Sequence, residues 1–443
     1  MTSEAVLFWD SFVALQLAIS GSGALPVARA FAVVGWKLGL VLCFLTGILN
    51  KATTAWLVES AFDAEEISYS GVCERAGFGP RARLVVELFT LTLMTGSFAV
   101  CLAAFGETCG RATESERARI LAPALGVFVA AVLGSRDYAG PVMAFSSVFG
   151  VAFLLALAVA VLVQCLRSRT VSSSSSSSWE EGAPAAVATL GYSFYLAPVA
   201  LAMFRNHWAH HSERVDRAAV VRAVNAASAL TFATTFVVYG VLGVSGSLWL
   251  GSETPGDVAT AFPGRFIASF VALYLAVGLL PMFHPLEDSV RALFFGGHDD
   301  ARVRVCSVAA LVLAALAAQC NSITLFAFTG ATGVCVTCYV VPVLCFWRTV
   351  RPANDKRRRR QDDDGLLVGE RARIVVVAPD KEDAATAEIP PSSRSRRLRV
   401  LQRWAEAARE TCLEVLFPAL ALAFGVGISV LSLAIALAGD STL

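Results

Sequence analysis

Charge is scarce in this sequence: 16% of its 443 residues are Asp, Glu, Lys or Arg, while 56% are hydrophobic. A soluble protein of ordinary composition carries roughly a quarter charged residues, so the bilayer must be the main solvent of this chain. Histidine is scarcer still, at five residues. His207-Trp208-Ala209-His210-His211 has the H-x-x-H-H spacing of a di-iron box, but His284 and His298 cannot complete the second box such a centre needs. That enzyme class is excluded, and the cluster reads as a cytosolic loop. No Gly-rich phosphate loop, Cys/His zinc spacing or serine nucleophile in a recognisable turn is present, so the chain offers no site for covalent chemistry, metal, cofactor or nucleic acid. The first apolar stretch lacks a cationic start and a small-residue cleavage site, and it carries Asp10, so it is a retained span and not a signal peptide.

What the sequence has instead is apolar runs long enough to cross about 30 Å of hydrocarbon, repeated from end to end. The first six expected spans are Phe8–Phe31, Leu38–Ala61, Leu84–Phe105, Ile120–Leu133, Val142–Leu166 and Ala186–Phe204. Ala219–Leu248, Phe266–Phe295, Val305–Ala318, Ile323–Trp347 and Leu413–Leu437 follow. With the N-terminus cytosolic, 27 of the 36 Lys and Arg fall on the inner side and 8 on the outer, leaving Lys51 within a helix. That is the positive-inside distribution of a multi-pass membrane protein.

Seven consecutive serines after Val171 make the 167–185 connection a solvated outer loop. Residues 348–410 form a charged, partly disordered cytosolic segment whose Arg357–Arg360 run fixes topology and could hold anionic lipid. Most of the eleven cysteines lie in apolar runs as small hydrophobes. Cys109, Cys165 and Cys320 fall near the outer face and could pair in some combination. These boundaries give a ten-helix core at 1–347, with halves at about 8–166 and 186–347, and an eleventh span with a short tail at 411–443.

Span 1 is interrupted by Gly21-Ser22-Gly23 with Pro26 beyond, and span 6 carries Gly191 and Pro198. Interrupted helices in corresponding positions of two halves point to a substrate site at the bilayer midplane. An unwound turn frees backbone N–H and C=O groups where there is no bulk water, and a carboxylate and an ammonium can satisfy them. Gly and Pro also serve close packing and kinks, so the breaks alone leave both readings open.

At these residues the sequence resembles the amino acid/auxin permease family, which includes sodium-coupled neutral amino-acid transporters and vacuolar permeases. Gly21-Ser22-Gly23-Ala24-Leu25-Pro26 and Gly35-Trp36 resemble the family's first helix. Ser68-Tyr69-Ser70 through Phe78-Gly79 resembles its cytosolic loop, and Gly96 with Gly106-Glu107 its third helix, with Glu in place of Asp. Phe194 and Pro198, then Pro281, Pro285 and Ser289, then Gly330-Ala331-Thr332-Gly333 with Pro342, follow in the family's order.

The resemblance implies an all-α integral membrane protein of about eleven helices, with the leucine-transporter-type 5+5 inverted repeat plus one helix. It implies a secondary active amino-acid transporter and not an enzyme, working by alternating access in the plasma membrane or a vacuolar or lysosomal one. Substrate contacts would come from Ser20, Gly21, Ser22 and Gly23, and from Tyr192, Ser193, Phe194, Tyr195 and Leu196. Cys101 and Val277 would close the pocket. Sodium-coupled members have Asn and Thr where this sequence has Leu17 and Gly278 or Ala276; none of these offers a side-chain oxygen, which favours proton coupling or exchange over sodium.

Lys51 and Glu87 are ionisable groups within spans and so candidates for a proton route, with mutual pairing or snorkelling of Lys51 as the plainer alternatives. His284, Glu287 and Asp288 read as a polar group at the cytosolic interface. A transporter-like amino-acid sensor, signalling through its cytosolic loops, is the alternative from another functional class.

Overall fold

The computed structural model describes residues 3–19, 22–65, 68–133, 141–168, 179–202, 204, 217–262, 264–295, 298, 301–318, 329–350 and 416–426. The serine run, the His207 cluster, Cys320, Arg357–Arg360 and most of the 348–410 segment lie outside the described residues. All regular structure among the described residues is helical.

α1 (Ser3–Ile19) and α2 (Val27–Val34) flank a short 3-10 turn at Ser22–Ala24. α3 spans Trp36–Asp63 and α4 Tyr69–Cys73. α5 spans Gly79–Thr113, α6 Glu116–Leu133 and α7 Pro141–Arg167. α8 (Trp179–Ser193) is followed by α9 at 197–202. α10 is Arg217–Leu250, α11 Arg265–Gly278, α12 Leu280–Phe294 and α13 Ala301–Ala317. A π-helical segment, Gly330–Val340, leads into α14 (Val341–Arg348), and α15 is Phe417–Val426.

Among the described residues, five helical stretches are long and apolar enough to cross a membrane: Trp36–Asp63, Tyr69–Thr113, Phe145–Arg167, Ala218–Glu253 and Arg265–Phe294. Large apolar side chains point outward as they would not in water. Leu121, Phe128, Phe145 and Val148 are each 63–67% exposed, which suits a face solvated by lipid tails. The interior holds the polar aromatics Tyr192, Tyr239, Tyr274 and Tyr339, all fully buried. The protein is a multi-pass integral membrane protein.

The sequence dictates several local features. Ser68 caps α4 by accepting from the Gly71 N–H at 3.1 Å, and the Tyr69 hydroxyl donates to the Thr337 carbonyl of the π segment. The chain then turns through Gly77 (φ 83°) and Gly79 (φ 74°), left-handed conformations that explain the glycine of the Phe78-Gly79 motif. α10 packs on α1, α2, α3 and α7, while α5 packs on α6, α11, α12 and α13. The α1/α2 and α8/α9 pairs run through the interior, where α2 lies against α8.

Candidate site at the two helix breaks

Helix α8 ends at Ser193, and Phe194, Tyr195 and Leu196 leave helical geometry before α9 starts at 197. Pro198 sits in the first turn of α9, where its missing N–H removes no helical bond and its fixed φ favours restarting. On the other strand of chain, Pro26 with φ −84° precedes α2 in the same way. Each interruption therefore has a proline at the restart.

The two breaks touch. The Ser193 hydroxyl lies 2.6 Å from the Gly23 carbonyl and 2.8 Å from its own helix's Thr189 carbonyl. The Tyr239 hydroxyl of α10 lies 2.8 Å from the Ile19 carbonyl and 3.4 Å from that of Ser193. The Ile19, Gly23 and Ser193 carbonyls lie at the breaks, so two hydroxyls from neighbouring helices satisfy backbone groups there. Gly23 makes the approach feasible: a Cβ there would sit 3.0 Å from the Ser193 Cα.

Aromatic rings surround the junction. Phe194 meets Tyr239 edge-on at 5.3 Å, and Tyr192 lies 5.3 Å from Tyr195. The Tyr195 hydroxyl reaches the Met282 sulfur at 3.2 Å, tying the unwound segment to α12. Cys101, buried on α5, contacts the Leu275 carbonyl of α11 at 3.5 Å. Asp, Glu, Lys and Arg are absent from the contacts just described. The polar content of the junction is backbone amides and hydroxyls, which can bind a carboxylate and an ammonium but offer no fixed charge to a third group.

One end of the junction is covered by the α10–α11 connection. The Val258 N–H donates to the Leu25 carbonyl at 3.1 Å, and Arg29 of α2 donates to the Ser252 and Thr254 carbonyls at 2.9 and 3.1 Å. Asp257 within this connection accepts from the Ala259 N–H at 2.8 Å. Burial lifts the Asp257 carboxyl to about 6, against the pull of that N–H and of Arg111.

Of the residues expected at the site, Gly23, Ser193, Phe194 and Tyr195 come together at the junction, with the Tyr192 ring tilted against that of Tyr195. Leu196 is buried at the restart of the helix and Val277 near the end of α11. Ser20, Gly21 and the side chains of Leu17 and Ser22 lie outside the described residues. Tyr239 and Met282 escaped the sequence reading; a tyrosine inside an apolar run, whose hydroxyl must find a partner, was the available signal.

Lys51 and Glu87 do not face each other as a pair: Lys51 acts on Glu59 of its own helix, whereas Arg83 and Asp288 act on Glu87. His284 and Glu287 are buried within the protein, at 6% and 1% exposed. Cys109 and Cys165 are free thiols.

The sequence profile of the family described as transmembrane amino acid transporter protein matches residues 6–363, most of the chain. The chain belongs to this family. It is a family of transporters and not of enzymes. Among curated proteins the chain is similar to amino acid transporter AVT6E of Arabidopsis thaliana, 23% identical over 375 residues that cover 77% of this chain and 76% of the relative. Among solved structures it resembles the manganese transporter of Eremococcus coleocola, crystallised with an aromatic bis-isothiourea substituted compound. That similarity has a TM-score of 0.51 at 11% identity and covers 99% of this chain and 94% of the other, so it speaks to fold alone.

Proposed function

We propose that this family member is a secondary active transporter of amino acids that works by alternating access, with substrate held where its two interrupted helices meet. The observation that carries this reading is the 2.6 Å contact between Ser193 and the Gly23 carbonyl, which brings two unwound segments from distant parts of the sequence to one point. The start of α2 offers backbone N–H groups and partial positive charge to a substrate carboxylate, and freed carbonyls offer an ammonium its acceptors. Ser20, Gly21 and Ser22 complete the first segment, and Cys101 and Val277 flank the pocket. The arrangement is read as two inverted five-helix repeats, about 8–166 and 186–347, followed by an eleventh span.

Coupling is to protons, or transport is exchange. Leu17 and Ala276 or Gly278 lack the side-chain oxygen a Na⁺ site would use. The neighbouring Gln16 amide is already engaged with Thr234 at 2.7 Å and Thr235 at 3.3 Å. With the N-terminus cytosolic, the α10–α11 connection covers the non-cytosolic side, in a plasma membrane or a vacuole-like one. The test is uptake of a mixture of radiolabelled amino acids into proteoliposomes under an imposed proton gradient and, separately, a sodium gradient. Accumulation with protons and not with sodium is expected; accumulation only with sodium would refute the coupling, and no flux in any mode would refute transport.

A further inference from the structure

Away from the breaks lies a cavity of about 60 Å³, room for a few waters. Its polar wall is Ser68 and Tyr69 at the start of α4, Glu87 and Thr90 of α5, and Asp288 and Ser289 of α12; α9 closes it through Pro198. Glu87 is 3% exposed. A carboxylate buried at that level within a span is expensive to hold and calls for a role. Across the cavity, Asp288 is 3.6 Å from His284 Nε2 and 3.3 Å from Arg291 Nη1.

Among the described residues the surrounding charges are few, and Ser70 of α4 lies within hydrogen-bonding reach of Glu87 through its hydroxyl and its backbone. Arg83, one turn before Glu87, is shared with Glu74 at 3.7 Å, and Tyr69 and Cys73 of α4 lie close to Glu87. On α12 the neighbours of Asp288 are His284, Glu287 and Arg291, and from α13 Arg304 lies over the Phe283 ring. Two carboxylates facing one small cavity repel when both are ionised and are tolerated close together when they share a proton.

One wall links this cavity to the candidate substrate site. α9 is the direct continuation of the unwound residues 194–196, and Met282, which Tyr195 contacts, precedes His284 by two residues on α12. Any swing of α9 that follows substrate release changes the width of the cavity and hence the cost of keeping both carboxylates ionised.

Resting on the transport reading above, we propose that Glu87 and Asp288 form the coupling-proton site. The pair shares one proton while α9 packs against the cavity, and releases it through the cavity waters when α9 withdraws. His284 is a positioning residue that orients Asp288.

The experiment uses the full-length protein in proteoliposomes with a mixture of radiolabelled amino acids and an entrapped pH-sensitive dye. Two fluxes are compared: exchange with no gradient, and accumulation under a gradient of about one pH unit, which for one proton per substrate sustains up to about tenfold accumulation. Glu87→Gln and Asp288→Asn are expected to abolish accumulation and the substrate-driven dye signal while exchange continues. His284→Gln is expected to shift the pH midpoint of accumulation without abolishing it.

Accumulation near the wild-type level in both neutral variants overturns the proposal. So does joint loss of exchange and accumulation in variants that elute as folded monodisperse protein, because the pair would then serve structure or substrate. Should a neutral variant fail to fold, Glu87→Asp, which withdraws the carboxylate by one methylene, must move the pH midpoint, and an unmoved midpoint overturns the proposal. Absence of exchange in the wild type would instead refute the transport reading beneath it.

Discussion

Replacing Gly23 by Ala tests the helix junction most directly. An ideal Cβ at Gly23 lies 3.0 Å from the Ser193 Cα, against an ordinary contact of 3.4–4 Å, and a backbone atom cannot rotate aside as a side chain can. The two breaks must separate by several tenths of an ångström, which stretches the 2.6 Å contact between Ser193 and the Gly23 carbonyl. Overpacking of this kind costs about 1–3 kcal/mol, and the weakened hydrogen bond about 0.5–1.5 kcal/mol. A combined loss of about 1.5–4.5 kcal/mol in the transport-competent conformation lowers exchange roughly 10- to 1,600-fold. The assay is amino-acid exchange in proteoliposomes, with size-exclusion behaviour and helical circular dichroism confirming a folded, inserted protein. Wild-type exchange by a folded Gly23→Ala protein would refute the claim that the close approach of the two breaks is needed for transport. Gly23→Val should be worse than Ala on the same scale.

Three further outcomes follow from the geometry. Tyr239→Phe keeps the ring against Phe194 but leaves the Ile19 carbonyl without its 2.8 Å donor, about 1–3 kcal/mol, so exchange should fall roughly 5- to 150-fold. Unchanged exchange would show that the carbonyl finds another partner. Tyr69→Phe removes the donor to the Thr337 carbonyl and should lower thermal stability in detergent by about 1–3 kcal/mol, with an unchanged melting temperature as the refuting result. Asp257 has its carboxyl raised to about 6 in the docked α10–α11 connection, above its ordinary value. Docking therefore takes up a proton, and the connection is held best below about pH 4 and loosens as pH rises from there to about 6, above which it levels off. Amide exchange at Val258, corrected for its intrinsic rate, should quicken across that range, and Asp257→Asn should make it independent of pH.

The sequence by itself determined the solvent of this protein, most of its helix positions and the places where two helices stop. Scarce charge and long recurrent apolar runs suit helices that satisfy their own backbone in lipid, so apolar helices can be placed along the chain without tertiary information. Gly21-Ser22-Gly23-Pro26 and Pro198 act on the local backbone, and the interruptions at Ser22–Ala24 and 194–196 appear where those residues stand. Span 8 is different: its apolar run is continuous through Leu279, yet the structure divides it into α11 and α12 there, with Pro281 at the restart.

What only the tertiary structure decided is which polar groups meet. Tyr239 is 220 residues from Ile19, and Ser193 is 170 from Gly23. Glu87 and Asp288 share a cavity although nothing in either local sequence refers to the other. The physical reason is range. Backbone breaks follow from the steric properties of single residues, whereas the partner of a buried hydroxyl or carboxylate is set by how whole helices pack, and lipid-facing and site-facing apolar residues look alike until that packing assigns each its neighbour.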